Sequence, residues 1–216
     1  MVSQGKLITF EGVEGAGKTT QLARAAAYFA ERGVDVACAR EPGGTAVGEQ
    51  VREILLNPDN GVMAPRAELF LYLAARAQLV AEVVAPALAV GKFVLLDRYV
   101  HSTLAYQGYG LGVDLGGASP AENTARLREL CRATVGEAWP DRVVVLDVAP
   151  EEGLARQAGE TPDRIEARDL AFHRRVREGF LALAAQEPER VVTVVDASPA
   201  EEKVFAAVRD VLDDLL

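Results

Sequence analysis

The stretch Gly12-Val13-Glu14-Gly15-Ala16-Gly17-Lys18-Thr19 fits the phosphate-loop pattern G-x-x-x-x-G-K-[ST] at every position. The apolar run Leu7–Phe10 before it reads as a strand, and Gln21–Phe29 after it reads as a helix that stops near Gly33. That strand, loop and helix order is the context the motif needs. Glycines let the chain curl until backbone N–H groups face a phosphate at a helix N-terminus, Lys18 neutralises β- and γ-oxygens, and the Thr19 hydroxyl can ligate magnesium. Gly12, Val13, Glu14, Gly15, Ala16, Gly17, Lys18, Thr19 and Thr20 are therefore the expected seat of a nucleoside triphosphate and its Mg2+.

The chain has 216 residues, 50% of them hydrophobic, which is ample for one α/β core. We expect a single domain over 1–216. A net charge of -9 argues against a nucleic-acid polymer as partner, because phosphate backbones require dense Lys/Arg surfaces. A small anionic substrate stays possible through a local basic pocket. Cys38 and Cys131 are the only cysteines and form no C-x-x-C pattern, so buried free thiols in a cytoplasmic protein are expected. No signal peptide is read at the start, and no run is read as approaching the roughly 20 apolar residues of a membrane span.

Apolar, β-branched runs recur at Leu7–Phe10, Val34–Ala39, Phe93–Leu96, Val143–Leu146 and Val191–Val195. Helical patterns separate them at Ala64–Val90, Ala121–Gly136, Arg164–Gln186 and Pro199–Leu216, with Pro86 expected to kink or break the first. This alternation predicts a doubly wound, five-stranded parallel sheet flanked by helices, the P-loop NTPase fold. Ligands collect at the carboxyl ends of such strands. Asp97 stands where a magnesium-holding carboxylate belongs, and Arg98 beside it suits a second phosphorylated ligand. Arg40 points toward the same crevice, unless it is tied up in a salt bridge to Glu41 or Glu11. The glycines from Gly108 to Gly117 suggest an irregular loop. The polar segment 151–166, with Arg156 and Arg164, reads either as a cationic lid that excludes water or as a solvated amphipathic helix.

Four blocks resemble bacterial thymidylate kinase: Phe10 to Gln21, Arg40-Glu41-Pro42-Gly43-Gly44-Thr45, Asp97-Arg98-Tyr99 with Ser102 to Gln107, and Asp163-Arg164-Ile165-Glu166. The resemblance runs over nearly the whole chain. It implies a nucleoside monophosphate kinase-like enzyme that transfers the γ-phosphate of ATP to dTMP, with magnesium, as a homodimer. It implies that Glu14 lies near the sugar 3′-hydroxyl, that Tyr72 stacks on thymine while Arg76 donates to a base carbonyl, and that Thr103 reads the thymine edge with Gln107 as neighbour. Tyr72 stands where the family usually has Phe. Tyr106 would lie against the 2′ carbon, Arg98 and Arg40 would hold the acceptor phosphate, and the turn at Ala197 would receive adenine. The loop carries no arginine between Gly12 and Lys18, so the resemblance implies that the lid supplies the catalytic cation, with Arg156 ranked ahead of Arg164. This lid is poorer in arginine than family lids usually are.

Rival readings are a nucleotide-hydrolysing switch protein, a degenerate nucleotide binder, and a kinase for another monophosphate. No Asn-Lys-x-Asp guanine motif supports the first. His101 and His173 need not act in the chemistry and read as structural or surface residues.

Overall fold

The computed structural model describes residues 5–159, 161–188 and 190–216. Glu160, inside the expected lid, and positions 1–4 of the expected domain lie outside the described residues. Strands β1 (Leu7–Glu11), β2 (Val36–Arg40), β3 (Phe93–Asp97), β4 (Arg142–Asp147) and β5 (Val192–Asp196) form one parallel sheet in the order β2-β3-β1-β4-β5. Between them run α1 (Lys18–Ala30), α2 (Ala46–Leu56), α3 (Pro65–Leu79), α4 (Ala85–Ala89), α5 (Val100–Thr103), α6 (Pro120–Val135), α7 (Pro150–Arg156), α8 (Leu170–Gln186) and the final α9 (Glu201–Asp213). The apolar runs of β1 and β3 are buried because helices cover both faces of the sheet, as continuous rather than alternating hydrophobic patterns require.

Each strand takes in the polar residue beyond its apolar run, so Glu11, Arg40, Asp97, Asp147 and Asp196 are strand ends rather than loop starts. Ladder hydrogen bonds depend on the backbone and not on side-chain polarity. The Glu41 amide donates to the Asp97 carbonyl and the Arg98 amide to that of Phe10, both at 2.9 Å. Register places Phe10 and Arg40 on either side of Asp97.

Other differences from the sequence reading have local causes. The helix expected over Ala64–Val90 is split by π-helical turns at Val80–Val84, where the Ala85 amide donates to the Val80 carbonyl just before Pro86, which has no amide proton to offer. The whole stretch Pro65–Ala89 is also long and apolar enough to cross a membrane, with mean hydropathy 1.4, contrary to the sequence expectation. Here it carries the buried Glu68 and Arg76, both paired with opposite charges from other elements. The expected irregular loop from Gly108 begins instead inside a π-helical segment, Leu104–Gly110, and Gly110 is small because a side chain there would press into Phe172 at 2.7 Å. Helix α8 starts at Leu170 rather than Arg164, because the Asp169 side chain caps it by accepting the Phe172 amide at 2.7 Å. Cys131 is buried as expected, but Cys38 is exposed on the edge strand β2.

The first six residues of the expected lid belong to the short helix α7, which is pressed onto the phosphate loop. A methyl group on Gly153 of α7 would collide with the Glu14 carbonyl, and one on Gly15 would collide with the Gly153 carbonyl. The two backbones can approach only because both residues lack Cβ. Gly153→Ala should therefore destabilise the protein by about 1–3 kcal/mol, as overpacking does. Thermal unfolding of the variant checks this, and an unchanged midpoint would mean that α7 can move aside freely.

Candidate functional site

A cavity of about 460 Å³ opens where the carboxyl ends of β1, β2 and β3 meet the N-terminus of α1. It is lined by Glu14, Gly15, Gly17, Lys18, Thr19 and Thr20 of the loop and by Asp97 and Arg98 of the third strand end. Arg40, Tyr72, Arg76, Thr103, Tyr106, Gln107 and Arg156 complete it among the residues expected from sequence. Gly12, Val13, Ala16 and Ala197 do not line it, though three of their carbonyls hold cations that do. Lys18 Nζ donates to the Val13 carbonyl at 2.7 Å, Arg98 Nη1 to Gly12 at 2.9 Å, and Arg156 Nη2 to Ala197 at 2.9 Å.

The metal-side chemistry is compact. Thr19 Oγ1 donates to Asp97 Oδ2 at 2.6 Å, which puts a hydroxyl and a carboxylate oxygen side by side at the loop's end. Hard oxygen donors of this kind suit Mg2+, which keeps several waters and takes only one or two protein ligands beside phosphate oxygens. The residues present fit that ion.

Arg98 sits at φ +71°, a left-handed conformation that non-glycine residues adopt at a cost of about 1–3 kcal/mol. The strained backbone turns its guanidinium back over the loop, where Nη2 lies 3.2 Å from Glu14 Oε1 and the group stacks 5.0 Å from the Tyr106 ring centre. Tyr106 donates to the same Glu14 oxygen at 2.6 Å. Burial works against the Glu14 charge, but His173, Arg98, Lys18 and the Tyr106 hydroxyl together hold its carboxyl below the usual range. His173, expected to be structural or on the surface, is buried with Nδ1 3.2 Å from Glu14 Oε2. His101 faces Glu187, away from the cavity.

Beneath the cavity, Glu41 and Glu11, read from sequence only as possible partners of the strand-end arginines, organise other groups. Glu41 Oε2 accepts from Arg76 Nε at 2.8 Å, while Arg76 Nη2 donates to the Tyr99 carbonyl at 2.9 Å. Burial pushes the Glu41 carboxyl up to about 7, against the pull of Arg76. Glu11 accepts the Tyr99 amide at 2.9 Å and the Ser102 hydroxyl at 2.6 Å, fixing the turn that carries Arg98. Both acids stand inside the quoted motif blocks, but nothing local in the sequence pairs Glu41 with Arg76 or Glu11 with the turn at Tyr99.

Two arginines have partners that the sequence did not suggest, though Arg40 still lines the cavity. Arg40 pairs with Glu49 at 2.9 Å, not with Glu41 or Glu11, and its side chain is half exposed. Arg164 does not reach the cavity. Its Nε donates to the Leu55 carbonyl at 2.6 Å and its Nη2 lies 2.7 Å from Glu68 Oε2, so it ties the base of the lid to α2 and α3. There it makes charge-assisted contacts to a carbonyl and a carboxylate already held in place by α2 and α3. Arg156, by contrast, bridges Gly15, Ala197 and Glu152 at the cavity rim.

Residues 10–208 match the family model described as thymidylate kinase. The chain belongs to the thymidylate kinase family. It is 48% identical over 219 residues to the thymidylate kinase of Pelotomaculum thermopropionicum, covering 99% of this chain and 97% of that protein. It is 48% identical to that of Deinococcus radiodurans, with 96% of each covered. The crystal structure of thymidylate kinase from Ehrlichia chaffeensis superposes with a TM-score of 0.76 at 32% identity, covering 97% of this chain and 98% of that one. The enzyme is thus a phosphotransferase of the nucleoside monophosphate kinase type that makes dTDP from dTMP, and the family uses ATP as donor.

Burial, with the Arg98 charge beside it, pushes the Lys18 ammonium down to about 8. A depressed lysine is charged below that value and loses its charge as pH rises through it. The dissociation constant for ATP, measured without acceptor, should therefore climb as pH passes 8, whereas a flat profile to pH 9 would show that Lys18 stays charged.

Proposed function

We propose that the cavity seats both substrates of phosphoryl transfer, with the donor phosphates on the loop and dTMP between Arg98, Tyr106 and α3. The observation that carries this reading is the placement of Arg98, aimed by a strained backbone between the loop and the Asp97 strand end. A guanidinium there can hold an acceptor phosphate against a γ-phosphate on Lys18, bringing the reacting oxygens in line. The acceptor phosphate oxygen is already anionic, so no general base is needed. Mg2+ held by Thr19 and Asp97 would neutralise charge on the donor phosphates. Arg156 at the rim supports the role of catalytic lid cation, and the contacts of Arg164 favour a structural role over its sequence-based second rank.

Around the acceptor, Tyr72 and Arg76 on one face of α3 suit stacking and hydrogen bonding to thymine. Thr103 and Gln107 line the same wall, Glu14 suits the 3′-hydroxyl, and Tyr106 crowds a 2′-hydroxyl. Arg40, half exposed and paired with Glu49, is the outer phosphate ligand. The turn at Ala197, whose carbonyl meets Arg156, suits adenine. Residues 1–216 act as one domain with a lid near 151–166, in the cytoplasm. Exposed Val47 and Ile54 on α2 and Phe70 on α3 support a homodimer.

ADP formation from magnesium-ATP, measured with a panel of nucleoside monophosphates and with none, tests the reading. Rates should be greatest with dTMP. Equal rates without acceptor would instead indicate a hydrolase, and faster turnover of dUMP or dCMP would refute the thymine pocket. Lys18→Ala and Arg98→Ala should each lower kcat at least about a hundredfold, as loss of charge clamps does. Arg156→Ala should lower kcat more than Arg164→Ala, whose larger effect should be on thermal stability; the reverse pattern would restore Arg164 to the chemistry.

A further inference from the structure

Helix α8 follows the lid and is not part of any motif, yet its first turn touches the acceptor site twice. Phe172 packs edge-on against the Tyr106 ring, with centroids 6.1 Å apart, and the next residue, His173, faces Glu14. The Asp169 cap fixes this turn, and the small Gly110 lets α8 come close to the segment that carries Tyr106.

The two oxygens of Glu14 have separate surroundings. Oε1 takes the Tyr106 hydroxyl at 2.6 Å and Arg98 at 3.2 Å. Oε2 is buried, accepts no well-aligned hydrogen bond, and has His173 Nδ1 3.2 Å away. A carboxylate torsion is soft, so a group pulled from one side by Arg98 and Lys18 needs an opposing partner to keep its plane. His173 is that partner. Burial disfavours its charge, but Glu14 and the backbone at Glu166 and Arg168 outweigh burial and raise its pKa, which strengthens the attraction.

We infer that His173 is a positioning residue of the acceptor site: from the buried side it fixes the Glu14 carboxylate, and through it the Tyr106 hydroxyl, so that both select the sugar of the acceptor. This rests on the reading of Glu14 at the 3′-hydroxyl and Tyr106 at the 2′ carbon. It also links the sugar pocket to the lid, because Glu166 ends the lid and Arg168 lies between it and α8.

The test compares kcat and KM for dTMP, its 3′-deoxy analogue and the corresponding ribonucleotide in the wild type, His173→Leu, His173→Asn and Glu14→Gln. With His173→Leu, KM for dTMP should rise about tenfold, the scale of one misplaced hydrogen bond between Glu14 and the 3′-hydroxyl, with little change in kcat or in KM for the 3′-deoxy analogue. Discrimination against the ribonucleotide should fall as well. His173→Asn, whose amide nitrogen can stand where Nδ1 stood, should restore both preferences. Should His173→Leu fail to fold, His173→Gln, which moves the donor by one bond, is read in the same way. If Glu14→Gln loses the 3′-hydroxyl preference while the His173 variants keep it, the inference about His173 is wrong and the site reading stands. If neither residue affects that preference, the sugar assignment of Glu14 falls and the inference with it. An equal loss for all three acceptors, tracking a lower unfolding temperature, would make His173 merely structural.

Discussion

Strands β1 and β3 lie side by side with Phe10 opposite Asp97, and the site depends on that register. The phosphate loop leaves β1 where Asp97 and Arg98 leave β3, so Thr19 reaches Asp97 and Arg98 reaches the Gly12 carbonyl with no intervening structure. A slip of one residue would turn Asp97 to the opposite face and break both contacts, since side chains alternate along a strand. The buried apolar runs of both strands resist such a slip because their residues pack on both sides.

On this frame the protein concentrates charge that its composition does not suggest. The chain is acidic overall, yet Lys18, Arg76, Arg98 and Arg156 converge on one cavity. Buried acids make this tolerable. Glu41 carries Arg76, Glu14 carries Arg98 and His173, and Glu68 carries Arg164 and Arg168. Arranged donors in a partly dry site stabilise transferring phosphate without reorganising, so the cost is met during folding rather than during reaction. The Gly15 and Gly153 contact adds a mechanical tie, since helix α7 cannot shift without disturbing the loop.

Much of this was legible beforehand where the signal is local. The phosphate loop needs glycines at fixed positions, and buried parallel strands need apolar β-branched runs, so the loop, the strands and the fold class could be read directly. Helix α2 was missed although Thr45 caps it by accepting the Gly48 amide at 2.9 Å, because half of its apolar residues, Ala46, Val47 and Ile54, face outward and blur the pattern. The π-turns before Pro86 and the start of α8 at Asp169 are one-residue decisions between competing hydrogen bonds.

The sequence by itself determined which chemical groups the protein owns and which lie beside each other along the chain: a phosphate loop, an Asp-Arg pair at a strand end, an aromatic and an arginine one helical turn apart. Only the tertiary structure decided how the remaining charges pair. It gave Arg164 to Glu68, Arg40 to Glu49 and His173 to Glu14. The first and last of these join residues far apart in the chain, the second spans the turn between β2 and α2, and each cation takes the acid that folding brings within about 3 Å, which no local pattern encodes.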